Sequence, residues 1–140
     1  MSDMKAFSDL EQSKKLAEIL PIESADMYYP WYIEEDGDTI ENGHRITTPN
    51  VGNFTTHKVN KMILPCWSLA ALIGVLPSRL FDSTPKRKEL YLLPDLDKSY
   101  CFYRQFAVKT KGKIYLLTEG ECLVDACYEM IIKLHELNLL

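Results

Sequence analysis

Four cysteines (Cys66, Cys101, Cys122, Cys127) and three histidines (His44, His57, His135) are the residues of this 140-residue chain best suited to nucleophilic or metal chemistry. A zinc site needs ligands at close, regular spacing, and these cysteines form neither a CxxC pair nor the Cys and His spacing of a finger. Asp36, Asp38 and Glu41 stand near His44 and His57. Hard cations need several oxygens in ordered spacing, and neither the EF-hand order nor HExxH is present. No metal and no cofactor are assigned. Cys122 is the best placed thiol, since a thiolate at a helix start is stabilised by the backbone N–H groups. It has no identifiable base or orienting partner, which nucleophilic catalysis requires. GxSxG, P-loop and GxGxxG signatures are missing as well, so no catalytic residue is assigned. A small hydrolase or transferase working through Cys122 or a histidine stands as the enzymatic alternative. His135, near the end of the last helix, is read as a complement to the helix dipole.

Two aromatic runs are the most unusual local feature: Tyr28-Tyr29-Pro30-Trp31-Tyr32 and Tyr100-Cys101-Phe102-Tyr103-Arg104-Gln105-Phe106. Strand alternation puts Tyr100, Phe102, Arg104 and Phe106 on one face of the second run, and Cys101, Tyr103 and Gln105 on the other. Rings beside an arginine suit a small anionic ligand, a base or a protein hot spot. Strand aromatics more commonly pack, as a sheet's share of the core. The candidate binding residues are therefore Tyr29, Trp31, Tyr100, Phe102, Arg104 and Phe106. Lys86-Arg87-Lys88 and Lys109, Lys111 and Lys113 are read as solvated turns that also discourage edge-to-edge strand pairing.

The elements that must hold these residues follow from composition and periodicity. With 46% hydrophobic and 26% charged residues, 140 residues suffice for one packed core, so a single domain over 1–140 is expected. A net charge of -4 argues against general nucleic-acid binding, which depends on lysine and arginine. No basic and apolar leader is visible, and the uncharged run from Met62 to Ser78 is too short to cross a bilayer, so a cytoplasmic protein with reduced thiols is expected.

Ser8-Asp9-Leu10-Glu11 reads as a capping box opening a helix that runs to about Leu20 and ends at Pro21. Pro30 marks an edge strand or bulge, and Asp36-Gly37 a hairpin turn. Thr39 to Phe54 reads as a long polar loop with short strand pieces. The segment Leu64 to Pro77, proline-bounded and apolar nearly all round, predicts a short helix central to the core. Strands are expected at Glu89–Leu93, Ser99–Val108 and Lys113–Thr118, the last two joined as a hairpin through Lys109–Gly112. From Leu123 to Leu137 the apolar residues Leu123, Ala126, Cys127, Met130, Ile131, Leu134 and Leu137 recur at helical spacing. They predict an amphipathic helix with Asp125, Glu129, Lys133 and Glu136 outside.

The stretches Leu16–Met27, Leu64–Leu72 and Val124–Ile131 resemble short hypothetical proteins carried by phages and mobile elements of gut anaerobic bacteria. That resemblance implies a small accessory protein and carries no activity or ligand residue with it. The fold class that the elements predict is α+β: an antiparallel sheet of about four strands with an N-terminal helix, a short central helix and a C-terminal amphipathic helix. The function expected is non-enzymatic binding of a protein partner or small anionic ligand through the aromatic surface. A self-assembling, homo-oligomeric role is the further alternative.

Overall fold

The computed structural model describes residues 5–29, 34–35, 38–41, 44–45, 49–52, 64–80, 87–95, 97–107 and 110–140. In chain order the elements are α1 (Leu10–Ile19), a 3₁₀ turn (Ile22–Ser24), β1 (Met27–Tyr29), β2 (Glu34–Glu35), β3 (Asp38–Glu41), β4 (His44–Arg45), β5 (Asn50–Val51) and β6 (Leu64–Cys66). There follow α2 (Leu69–Val75), β7 (Arg79–Leu80), β8 (Arg87–Leu93), β9 (Ser99–Ala107), β10 (Thr110–Gly120) and α3 (Leu123–Glu136). The fold is α+β with antiparallel sheets, as the elements predict. Two compact units divide the chain: Ala6–Ala71, and Met1–Lys5 with Leu72–Leu140. The boundary falls inside α2. Among the described residues no helix is long and apolar enough to cross a membrane.

In the unit Ala6–Ala71, β1 lies between β5 and β6, and α1 packs on β6. The capping box forms one residue later than the sequence predicts. Asp9 is the N-cap: its Oδ1 accepts the Gln12 N–H at 2.8 Å, and its own N–H donates to Gln12 Oε1 at 3.1 Å. Aspartate caps as well as serine, and the shift leaves Ser8 for tertiary contacts. Ser8 is buried, its Oγ lies 2.8 Å from Ser13 Oγ and accepts the Trp67 N–H at 3.1 Å, and its carbonyl accepts the Tyr29 hydroxyl at 2.8 Å.

Leu64–Pro77 is not one core helix. Its start is strand β6, at the edge of its sheet, where Pro65 tolerates the missing N–H; only Leu72 of α2 is fully buried. The Asp26 carboxylate accepts the Ser68 N–H at 2.9 Å and the Ser68 hydroxyl, and Ser68 Oγ accepts the Ala71 N–H at 3.1 Å, so α2 begins only after Ser68. Asp36 and Gly37 lie outside the described residues; β2 and β3 on either side pair antiparallel, Glu35 opposite Asp38, and β3 pairs in turn with β4.

In the other unit, β7, β8, β9 and β10 form a four-stranded antiparallel meander in that spatial order, with α3 across β9 and β10. The connection between β9 and β10 is shorter than expected and β10 longer, since Thr110 already pairs with Ala107 and the pairing runs on to Gly120, with register irregularities before Lys113 and after Ile114. Buried on α3 are Val124, Ala126, Cys127, Met130, Ile131 and Leu134. Leu123 is only half-buried and Leu137 is 49% exposed, a correction at both ends of the expected stripe.

At the C-terminal end Asn138 takes φ 58, its N–H donates to the His135 carbonyl, and the Leu139 N–H donates to the Leu134 carbonyl at 2.8 Å. This pair of bonds is a Schellman cap, with Leu137 at the C-cap where the helix leaves the sheet. The N-terminal end is tied by Lys5 Nζ to Asp125 Oδ1 at 2.6 Å and by Thr118, whose hydroxyl donates to the Ala126 carbonyl at 2.7 Å.

Candidate binding face of the four-stranded sheet

Alternation along β8, β9 and β10 sorts the meander into two faces. Cys101 and Tyr103 of β9 are buried on the α3 side, and the Tyr103 hydroxyl donates to the Pro77 carbonyl at 2.7 Å. The opposite face carries Tyr91 and Leu93 of β8, Tyr100 and Phe102 of β9, and Ile114 and Leu117 of β10. Antiparallel sheets with one packed face ordinarily turn polar residues to the other. Here Tyr91, Leu93, Ile114 and Leu117 are 37–57% exposed. Tyr91 and Phe102 are directly opposed across β8 and β9, and their rings stack with centroids 5.5 Å apart and planes 9° apart. Beside them Leu93, Tyr100, Phe102, Ile114 and Leu117 line a shallow depression of about 260 Å³ whose lining is wholly apolar.

Charge collects at the two ends of this face. At the end where β8 starts stand Arg79, Arg87 and Arg104, with Glu89 between them: Arg87 Nε lies 3.1 Å and Arg79 Nε 3.9 Å from Glu89 Oε1. At the end where β8 finishes Glu119 is on this face, its Oε1 3.4 Å from Lys98 Nζ, and Asp95 and Asp97 are exposed in the connection from β8 to β9.

Of the six candidates read from the sequence, Tyr100, Phe102 and Arg104 share this face, with Tyr100 and Phe102 in the depression. Phe106 is on β9 in register with Arg87, and its side chain lies outside the described residues. Trp31 also lies outside them. Tyr29 belongs to the other unit, where it is 1% exposed in a core cluster with Leu64 and Cys66. Of the run Lys86-Arg87-Lys88, Lys86 lies outside the described residues, and Arg87 and Lys88 are in β8 and not in a solvated turn. Lys88 is fully buried, in register with Leu80 and Gln105, and its ammonium sits 4.8 Å over the Tyr115 ring.

Sequence reasoning missed Tyr91, Leu93, Ile114 and Leu117. The signal was present in the unbroken apolar runs Leu90-Tyr91-Leu92-Leu93 and Ile114-Tyr115-Leu116-Leu117. Over such a run a strand has no polar face to give to water.

The four cysteines are interior, whereas His135 is exposed; His57 and the side chain of His44 lie outside the described residues. Cys122 is buried at the N-cap of α3 and its side chain caps nothing. Hydrogen bonding with Cys127, together with burial, pushes the Cys101 thiol up. Burial also raises the Cys66 thiol and the Tyr29 and Tyr103 phenols. Cys66 and Cys101, so raised, stay protonated and make poor nucleophiles, while the hydrogen bond with Cys101 lowers the thiol of Cys127, which is buried. Among the described residues no group of three His, Cys, Asp or Glu side chains is placed to hold a metal. No protein-family model, no curated protein and no solved structure matches the chain.

Proposed function

We propose that the chain is a non-enzymatic binding module whose working surface is the outer face of β8, β9 and β10, and that it takes an apolar protein surface. The observation that carries this reading is a sheet apolar on both sides, one side covered by α3 and the other exposed at Tyr91, Leu93, Ile114 and Leu117. Exposed apolar patches of a few hundred Å² mark interaction sites in soluble proteins, because leaving them in water costs roughly 25 cal/mol per Å². Stacked aromatics at the centre with charges at the margin have the layout of an interface core and rim. A protein surface is favoured over a small anion, since the depression offers no polar atom and Arg104 stands at its margin beside Glu89. A cytoplasmic accessory role in a phage or mobile element, which the resemblance implies, suits such a binder.

A photo-crosslinking amino acid placed at Leu117, and as a control at the exposed Glu129 of α3, tests the reading in extract of the source cell. Discrete protein adducts from position 117 and none from 129 are expected. Equal labelling from both positions, or none from 117, refutes it.

A further inference from the structure

We infer that Cys101 of β9 and Cys127 of α3 form a redox pair, which a hydroperoxide closes to a disulfide that locks the C-terminal helix onto the four-stranded sheet. The inference is independent of what the outer face of that sheet takes.

The packing of α3 brings the two residues together. Cys101 is on the side of β9 that α3 covers, Cys127 is on the buried stripe of α3, and neither exposes any surface. Thr118 stands opposite Cys101 in the β9–β10 ladder. Its hydroxyl donates to the Ala126 carbonyl at 2.7 Å and to the Cys101 carbonyl at 3.4 Å. One hydroxyl touching both carbonyls holds those oxygens within about 6 Å of each other, and disulfide-bonded residues have Cα atoms roughly 4.4–6.8 Å apart. The two thiols are themselves hydrogen-bonded. Cys66 is engaged by Ser8 in the other unit.

The pair is unequal. The Cys101 thiol donates to the Cys127 sulfur, which raises Cys101 and lowers Cys127. Cys127 is therefore the sulfur that attacks. It takes one oxygen of the peroxide as the O–O bond breaks, becoming a sulfenic acid, and the hydroxide released leaves as water with the proton of the Cys127 thiol. The Cys101 sulfur then attacks Cys127: the S–O bond breaks as the S–S bond forms, and the proton of Cys101 leaves with the hydroxyl group as a second water. Each sulfur gives up one electron, and the peroxide is reduced to two waters. Both sulfurs are covered, so peroxide meets them when the first turns of α3 open from the sheet, a local event that costs less than global unfolding. The bridge then closes a loop of roughly 26 residues and narrows the unfolded ensemble.

The test exposes the purified, reduced full chain to hydrogen peroxide in native buffer, removes the peroxide with catalase, and unfolds the chain in urea with N-ethylmaleimide present to block remaining thiols. Two of the four cysteines should escape the maleimide. Tandem mass spectrometry of the digest should recover Cys101 joined to Cys127, and Cys122→Ser should link as the parent does. The linked chain should melt several degrees above the reduced one, and dithiothreitol should reverse the shift. Recovery of Cys101 and Cys127 as maleimide adducts or sulfinic acids overturns the inference, as does a bridge through Cys66 or Cys122 in their place. A linked chain that melts no higher than the reduced one overturns it as well, because the bridge then locks nothing.

Discussion

Gly120→Ala probes the joint between sheet and helix. Gly120 ends β10, two residues before the N-cap of α3, and a Cβ there would press on Asp125 Cβ and stand 2.7 Å from the Ala126 backbone nitrogen and 2.9 Å from the Asp125 carbonyl carbon. Ordinary contacts of this kind lie near 3.5 Å, so the added methyl intrudes by roughly 0.5–1 Å. Two of the opposing atoms are backbone of α3, where no rotamer change relieves the clash. The helix must therefore lift from the sheet, and a gap of that size forfeits a quarter to a half of each contact it opens. Six buried side chains, from Val124 to Leu134, face that gap, and Lys5–Asp125 and Thr118–Ala126 are strained with them. We expect a loss of about 2–4 kcal/mol, in the range of overpacking and large core truncations. Urea unfolding followed by far-ultraviolet circular dichroism measures it. Gly74→Ala in α2 is the control, because its Cβ would meet nothing within 4 Å and the helix should gain roughly 0.5–1 kcal/mol from it. A Gly120→Ala protein within about 0.5 kcal/mol of the parent would show that α3 does not seat against β10 as described.

Ile131→Ala should cost about 2–5 kcal/mol and Leu137→Ala no more than about 0.5 kcal/mol, since the first is fully buried and the second half out of the core; equal losses in urea melts would contradict the assigned face. Burial raises Cys66, Tyr29 and Tyr103, while the hydrogen bond between Cys101 and Cys127 raises the first thiol and lowers the second, so those two act in opposite senses. For groups raised on folding, the stabilisation is fully present below the unfolded-state values of 9.0 for a thiol and 10.0 for a phenol, and is lost as pH climbs above them toward the folded-state values. Melting temperature should hold steady to about pH 9 and fall beyond it, by up to roughly 1.4 kcal/mol of stability per pH unit for each group. Tyr103→Phe should flatten the fall above about pH 10, and a parent protein equally stable at about pH 8 and 11 would refute the assignment.

Local signals were read well wherever chemistry acts within a few residues. The periodicity of Leu123–Leu137 found α3 and most of its buried stripe, because a helix repeats every 3.6 residues whatever it packs on. It missed Val124 and overcounted Leu137, since the width of the stripe depends on how far the sheet reaches beneath the helix. The capping box slid from Ser8 to Asp9 for a similar reason. Both residues cap, and the choice fell to the buried site that Trp67, Ser13 and Tyr29 make for Ser8. In Leu64–Pro77 an all-apolar run could serve as buried strand or buried helix, and pairing with β1 decided for strand at its start.

The binding face divides in the same way. From sequence alone came the second aromatic run, its alternation, and Tyr100, Phe102 and Arg104 on one side of it, because a strand's period of two needs no knowledge of neighbours. Only tertiary structure decided which side the helix covers, that Tyr91 stacks on Phe102, and that Leu93, Ile114 and Leu117 complete the patch, because those residues lie on other strands and meet only through pairing register. Tyr29 shows the converse. Its composition-based place among the candidates gave way to a buried hydroxyl donating to Ser8, a partner 21 positions away that local pattern does not reveal.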